Sequence, residues 1–223
     1  MELEALPSTG WDAITRRSFL GRGAVVAGSV ALVAGCGGAA HVLKPTATGA
    51  LTTKEMATLE SVLAQLLPRD ELGPGAVEAG VPTYINNALA GSYKPLLPVY
   101  QSLLPMFEKA AASTAASSFS ALSASRQIAL LKQFEAGSPP GVASSDAASV
   151  ASAFQVLLEH MREGMFGDPM YGGNANLAGW GLIGYPDIHI APRASEQAVG
   201  TKVEPSHETA KTLGGSPYNG PPV

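Results

Sequence analysis

The strongest grouping of chemically capable side chains in the sequence is a histidine flanked by two carboxylates. His160 follows Glu159 directly and precedes Glu163 by three residues. On a helix, residues three or four apart share a face, so these groups could begin a metal site. The H-E-x-x-H pattern of zinc enzymes is absent, however. Because exposed helix faces normally carry charges, we interpret this group as a surface charge cluster.

Other catalytic arrangements are missing from the sequence. Asp168 precedes a proline, which is typical of a turn or capping residue rather than a general base. The four histidines are isolated, and neither a G-x-S-x-G nor a C-x-x-C-H motif occurs. A single cysteine cannot ligate an iron–sulfur cluster alone. We therefore predict no catalytic residue, metal site or cofactor in this chain.

Residues 166–186, called the glycine-aromatic loop below, have the most distinctive composition in the chain. They hold six of the 25 glycines, two of the six tyrosines and one of the two tryptophans. Glycine lets other groups approach the backbone closely, and large aromatic side chains favour contact with a partner. We predict a non-regular, shaped surface that receives another molecule. A loop that packs only on its own domain is the alternative.

Nucleotide-binding motifs are not supported. Residues 179–184 formally match G-x-G-x-x-G, but that motif must follow a strand and open a helix. Tyr185 and Pro186 would stop such a helix at once. The P-loop sequence that binds phosphates is absent.

Composition points to one domain with a partner. The formal net charge is −4 and basic residues are scattered, which argues against nucleic-acid binding. Only 14% of residues are charged and 46% are hydrophobic, whereas about 25% charged residues is typical. An isolated monomer would be short of polar cover, which favours a surface that a partner covers.

The first 40 residues predict an export signal. The twin-arginine pair Arg16-Arg17, followed by Phe19 and Leu20, precedes an uncharged apolar run over residues 24–35. This run is shorter than the ~18–20 apolar residues that a spanning helix needs. Its length and flanks are those of a signal peptide read by the twin-arginine translocase. A short buried helix is the alternative.

Cys36 leaves two interpretations of the leader open. It follows Val33-Ala34-Gly35, and a small-residue stretch before a cysteine resembles a bacterial lipobox, in which the cysteine is acylated. Acyl chains would then hold the protein on a membrane face. The alternative is ordinary cleavage after the small residues 38–40.

The mature chain is predicted to be all-α. Residues 41–50 are a linker, and residues 51–186 form an irregular helical domain of about five or six helices. Helices are expected after a Thr52–Glu55 capping box, near Pro82, over residues 100–107, after Ser123, and after Ser144 or Ser145. Methionine and aromatic stripes are assigned to the core. Residues 187–223 are loop or disordered when alone, and we favour an extended arm that lies along a partner.

Two sequence blocks resemble a known family. Gly167-Asp168-Pro169 with residues 171–174, 179–180 and 182–186 resembles the signature of the gluconate 2-dehydrogenase subunit 3 family. A second resemblance lies over residues 68–76 and 79–81. Counting the leader, the resemblance covers most of the chain up to Pro186.

This resemblance implies a function. The family comprises small, non-catalytic gamma subunits of bacterial FAD-dependent sugar and sugar-acid dehydrogenase complexes. Their partner is an FAD-containing catalytic subunit of the glucose–methanol–choline type, which often lacks its own leader. The resemblance further implies that electrons pass to a multihaem cytochrome c subunit and a quinone pool. The expected role is to bind, stabilise and co-export the flavoprotein to the periplasm or the outer face of the cytoplasmic membrane.

The predicted partner interface lies in the glycine-aromatic loop, with residues 70–75 beside it. It consists of Asp168, Pro169, Tyr171, Gly172, Gly173, Asn174, Trp180 and Tyr185. Two other functions stay open: an independent exported enzyme or small-ligand binder that uses this loop as a pocket, and a structural envelope lipoprotein.

Overall fold

Six α-helices form the part of the chain that the computed structural model describes, residues 49–189 and 194–215. Short 3-10 turns and loops connect them, and no β-strand occurs within these residues, so the all-α prediction is confirmed. The helices are α1 (Thr53–Leu66), α2 (Val81–Ala90), α3 (Leu97–Ala112), α4 (Ala124–Glu135), α5 (Ala147–Phe166) and α6 (Ala178–Ile183).

The leader lies outside the described residues. The predictions for Arg16, Arg17, Phe19, Leu20 and Cys36 therefore stay predictions, as does most of the 41–50 linker. Within the described ranges, no helix is both long enough and apolar enough to cross a membrane.

The sequence predicts a polar cap at the start of α1 and another at the start of α5, with different outcomes. At α1, the Glu55 N–H donates to the Thr52 hydroxyl oxygen and the Glu55 carboxylate accepts from the Thr52 N–H, which confirms the capping box. The prediction of a serine cap before α5 is wrong by one or two residues. Ser144–Asp146 forms a 3-10 turn, so that Asp146 is the residue that precedes the helix.

The core is filled by aromatic rings from several elements. Phe107 on α3 lies with its ring centre 4.1 Å from that of Phe134 on α4 and 5.5 Å from that of Phe119. Phe154 on α5 joins this group at 6.5 Å from Phe107. All four side chains are fully buried, so they contribute most of the hydrophobic stabilisation at this point.

Helix α5 positions the glycine-aromatic loop. It packs against α2, α3 and α4, and its C-terminal half contacts α6. Met161 and Met165 are completely buried in it, as predicted for the methionine stripe. Since α5 ends at Phe166, the chain enters the loop one residue after buried Met165.

Candidate functional site

The loop begins with a turn capped by Asp168. The Met170 N–H donates to Asp168 Oδ1 at 2.9 Å, and the 3-10 turn Pro169–Tyr171 follows. This confirms the interpretation of Asp168 as a capping residue. Gly172 then turns the chain in the left-handed region, with a φ of 97°, which costs glycine little.

Asn174 holds the centre of the loop together. Its side chain is completely buried; its amide nitrogen donates to the Gly167 carbonyl at 2.9 Å, and its amide oxygen accepts from the Gly179 N–H at 2.8 Å. Its backbone N–H donates to the Gly164 carbonyl on α5 at 2.7 Å. One side chain thus pairs with polar groups near the start of the loop and in the first turn of α6, and these groups would be costly to bury unpaired.

Two glycines let the loop lie against the end of α5. A Cβ atom on Gly173 would collide with the Gly164 carbonyl oxygen. A Cβ atom on Gly179 would collide with the Met165 carbonyl oxygen. Only glycine permits this approach of one backbone to another.

The backbone of the loop is strained between these glycines. Asn174, Asn176 and Leu177 have φ values of 46°, 55° and 58°. Asparagine tolerates the left-handed region, but a leucine there costs roughly 1–2 kcal/mol. Such a conformation persists only where the surrounding contacts impose it, and it is a feature of functional segments.

Trp180 anchors helix α6 to the rest of the loop. Its indole N–H donates to the Phe166 carbonyl at 2.7 Å, and its side chain is only 5% exposed. The ring of Tyr185 meets it edge-on, with the ring centres 4.9 Å apart. Tyr185 itself is 41% exposed, so this pair is a contact between a buried ring and a ring at the surface.

The segment before α2 is joined to the loop. The Ala175 N–H donates to the Ala79 carbonyl at 2.9 Å. Gly80 has a φ of 77°, and a Cβ atom there would lie 2.9 Å from the Gly172 carbonyl oxygen. The two sequence blocks that carry the family resemblance therefore meet in space.

Exposed large apolar side chains concentrate in these two joined segments. Among the described residues between 53 and 186, every large apolar side chain that is exposed belongs to one of them. The set, called the apolar surface residues below, is Leu72, Val77, Tyr171, Ile183 and Tyr185. Leu72, at 60% exposure, lies on a tight turn in which Asp70 and Gly73 exchange two backbone hydrogen bonds of 3.2 Å.

One family model covers both the glycine-aromatic loop and the segment before α2. The family model described as gluconate 2-dehydrogenase subunit 3 matches residues 53–186, more than half of the 223-residue chain. The chain belongs to the gluconate 2-dehydrogenase subunit 3 family. Neither the search of curated proteins nor the search of solved structures returned a match.

The family match coincides with structural boundaries. It begins at Thr53, the first residue of α1, and ends at Pro186, the last residue of the glycine-aromatic loop. Family membership indicates an accessory subunit that associates with a gluconate dehydrogenase complex.

The structure divides the predicted interface residues into two groups. Tyr171 and Tyr185 are exposed, whereas Gly173, Asn174 and Trp180 are buried. Asp168, Pro169 and Gly172 are half-buried. Buried side chains offer a partner little surface, so their role in this subunit 3 chain is to shape the loop. Contact of the remaining residues with a partner stays a prediction.

His160 is the clearest departure from the sequence interpretation. Rather than lying in a surface charge cluster, it is buried at 4% exposure. The hydroxyl of Tyr100 lies 2.9 Å from His160 Nδ1, and the ring of Tyr93 stacks on the imidazole with the ring centres 4.5 Å apart. The helical spacing in the sequence does indicate this burial, since His160 lies three residues after buried Leu157 and four before buried Gly164.

Glu163 extends this buried group toward the loop. Its carboxylate accepts a hydrogen bond from Tyr84 at 2.8 Å and another from Tyr93 at 3.2 Å. Burial raises the pKa of Tyr84, and the hydrogen bond to Glu163 raises it further. Burial lowers the pKa of His160, while the charges of Glu163 and Glu159 act in the opposite direction.

The tyrosine, histidine and glutamate side chains link three elements. Tyr84 belongs to α2, Tyr100 to α3, and His160 and Glu163 to α5. Sequence reasoning missed the tyrosines because nothing in their spacing along the chain joins them to α5. Within the described residues, no group of three histidine, cysteine or acidic side chains is arranged to hold a metal ion.

Proposed function

We propose that this chain is the non-catalytic small subunit that binds, stabilises and co-exports the FAD-containing catalytic subunit of a sugar or sugar-acid dehydrogenase. The observation that carries the proposal is the joining of two glycine-rich segments that expose the apolar surface residues. Family membership supports the same conclusion at the level of the complex.

The chemistry of the surface fits a protein partner. Solvent contact with two tyrosines and three aliphatic side chains is unfavourable, and a partner that covers them gains their burial. Within the glycine-aromatic loop, Asn174 and Trp180 fix the backbone by hydrogen bonds. A surface held rigid before binding loses less conformational entropy on association.

The proposed route through the membrane follows from the leader. Arg16 and Arg17 would direct the folded subunit, with its flavoprotein bound, to the twin-arginine translocase. Binding that selects the folded flavoprotein also stabilises it by mass action. The complex would then reside in the periplasm or on the outer face of the cytoplasmic membrane, held there by acylated Cys36 or by a multihaem cytochrome c subunit.

Affinity purification of the full chain from its native envelope tests the proposal. We expect a flavin-containing chain in near-equal amount. A colourless chain that purifies alone after gentle extraction would contradict it. The small subunit, once separated from that flavoprotein, should show no turnover of sugars or sugar acids.

Surface variants locate the binding site. Tyr171→Ser and Ile183→Ser should each weaken retention of the flavoprotein by about tenfold or more if these residues are central to the interface. Val199→Ser is the matched control, because Val199 is fully exposed but lies outside the family match. Equal retention by all three variants would place the interface elsewhere.

Leader variants test the export step separately. Replacing Arg16 and Arg17 with lysine should leave both the small subunit and the flavoprotein in the cytoplasm. Cys36→Ser should release the small subunit from membranes if acylation anchors it. A flavoprotein that still reaches the periplasm when Arg16 and Arg17 are replaced would refute co-export.

A further inference from the structure

A short piece of the C-terminal tail connects the two ends of the glycine-aromatic loop. Residues 206–210, called the tail strap below, donate backbone hydrogen bonds to an aspartate near the start of the loop and to the aspartate that directly follows its last residue. The Ala210 N–H donates to Asp168 Oδ2 at 2.7 Å, and the His207 N–H donates to Asp187 Oδ2 at 2.6 Å. These tail donors are three residues apart, whereas the aspartates that accept from them are separated by almost the whole loop.

The contact at Asp168 joins the strap to the first turn of the loop. Asp168 Oδ1 accepts from the Met170 N–H inside the loop, while Oδ2 accepts from the strap. Both carboxylate oxygens are thereby used, each by a backbone N–H. Hydrogen bonds to an ionised acceptor are shorter and stronger than neutral ones, so this side chain ties the loop entrance firmly to the tail.

The contact at Asp187 is a built feature rather than a chance surface contact. Asp187 is only 4% exposed and holds a φ of 67°. Ser206 adds two bonds beside it: its N–H donates to the Pro186 carbonyl at 3.3 Å, and its hydroxyl donates to the Ile188 carbonyl at 3.1 Å. A buried carboxylate in a left-handed conformation needs such compensation to persist.

We propose that the tail strap fastens the two ends of the glycine-aromatic loop and thereby sets the affinity of the subunit for its dehydrogenase partner. The fastening of the loop is argued from the contacts above, and the effect on partner affinity rests on the proposed function. The strap acts on the chain's own loop, which differs from the predicted arm along a partner. It lies beyond Pro186 and so outside the family match.

The loop can be observed without any partner. In the full chain carrying Trp11→Phe, Trp180 is the sole tryptophan and reports on the loop by its fluorescence. We compare deletion of residues 202–223 with deletion of residues 216–223, which keeps the whole strap. The longer deletion should shift Trp180 emission to longer wavelength and speed amide exchange in residues 167–186 by about tenfold, since local opening becomes easier. The shorter deletion should leave both signals unchanged.

Point variants distinguish the loss of the strap's hydrogen bond from a general loss of folding. Asp187→Gly keeps the left-handed backbone available but removes the acceptor, whereas Asp187→Asn keeps an acceptor oxygen at the same place. Amide exchange in the loop should accelerate in the glycine variant and change little in the asparagine variant, with helix content constant by circular dichroism. Unchanged exchange in both the glycine variant and the longer deletion would overturn the strap.

Retention of the flavoprotein then tests the second part. The longer deletion and Asp187→Gly should reduce affinity by about tenfold, while the shorter deletion and Asp187→Asn retain it. Faster loop exchange with full affinity would overturn the link to binding. If the unmodified chain binds no flavoprotein, the proposed function fails, and amide exchange alone decides whether the strap exists.

Discussion

In the helical body, which comprises α1 to α5, the rings of Phe107, Phe134 and Phe154 pack against one another and fill the space between the helices. In the glycine-aromatic loop, Gly173 and Gly179 hold the chain in place by leaving space empty, so that two backbones touch. We therefore expect a loss of side-chain volume to destabilise the body at Phe107, and a gain of volume to destabilise the loop at Gly173 and Gly179. The helices are thus held by side-chain packing and the loop by close contact between backbones.

The comparison predicts the largest effect for a loss of volume in the body. Phe107→Ala removes a fully buried ring that meets three others, and should lower the free energy of unfolding by about 4 kcal/mol. Urea denaturation of the full chain, followed by circular dichroism, measures it. A loss below about 1 kcal/mol would mean that the core does not depend on this ring.

In the loop, a gain of side-chain volume should lower stability by a similar amount. Gly179→Ala places a methyl group against the Met165 carbonyl and should destabilise by about 3 kcal/mol. Gly181→Ala is the control: the Cβ there meets no described atom within 4 Å, and alanine favours the helix by about 0.5–1 kcal/mol. If the two alanines behaved alike, the contrast between body and loop would be lost.

A polar side chain takes the role in the loop that apolar rings take in the body. Asn174→Ala leaves the Gly167 carbonyl and the Gly179 N–H without their bonds, at a cost of about 2–3 kcal/mol. Exposed Asn176, also in the left-handed region, supplies the control Asn176→Gly, which should be neutral or stabilising. Urea denaturation compares them, and equal stability would show that Asn174 is not the centre of the loop.

At Trp180, a side-chain hydrogen bond joins the loop to the last residue of α5. Trp180→Phe removes the bond to the Phe166 carbonyl and should destabilise by about 1 kcal/mol. Tyr185→Phe keeps the ring that meets Trp180 and is expected to leave stability unchanged. Thermal denaturation of both variants would decide whether this bond matters.

The smallest effect concerns pH and belongs to the body. Because burial lowers the pKa of His160 below its unfolded value, the unfolded state binds the proton more readily. Stability should therefore be full above about pH 6.5 and decline as the pH falls below it. The Tyr100→Phe/His160→Phe pair removes donor and acceptor together, and should flatten this decline in urea denaturation between about pH 5 and pH 7.5. An unchanged slope would assign the decline to other groups.

The helices of the body could be predicted from the sequence, because buried residues recur along a helix at a regular spacing. Apolar spacing located α1 to α5, and the Thr52–Glu55 pattern gave the first cap. The loop follows no period. Helix α6 was missed because Gly179 and Gly181 lower helix propensity and Pro186 follows closely.

Contacts between distant residues explain the remaining differences. The approach of Gly179 to Met165 is a tertiary contact, so no local pattern reveals it. Asparagine is usually exposed, which made Asn174 an unlikely choice for the interior. The bonds from the strap to Asp168 and Asp187 join residues 42 and 20 positions apart, too far for any turn signal to indicate.

The tail strap also gives the chain an order of assembly. During synthesis the N-terminal parts of a protein emerge and fold first. The glycine-aromatic loop is synthesised before residues 206–210, so its two ends can be fastened only after synthesis has passed Ala210. A chain that stopped before residue 206 would contain all six described α-helices and lack both hydrogen bonds of the tail strap, so closure of the loop depends on residues made after the last of these helices.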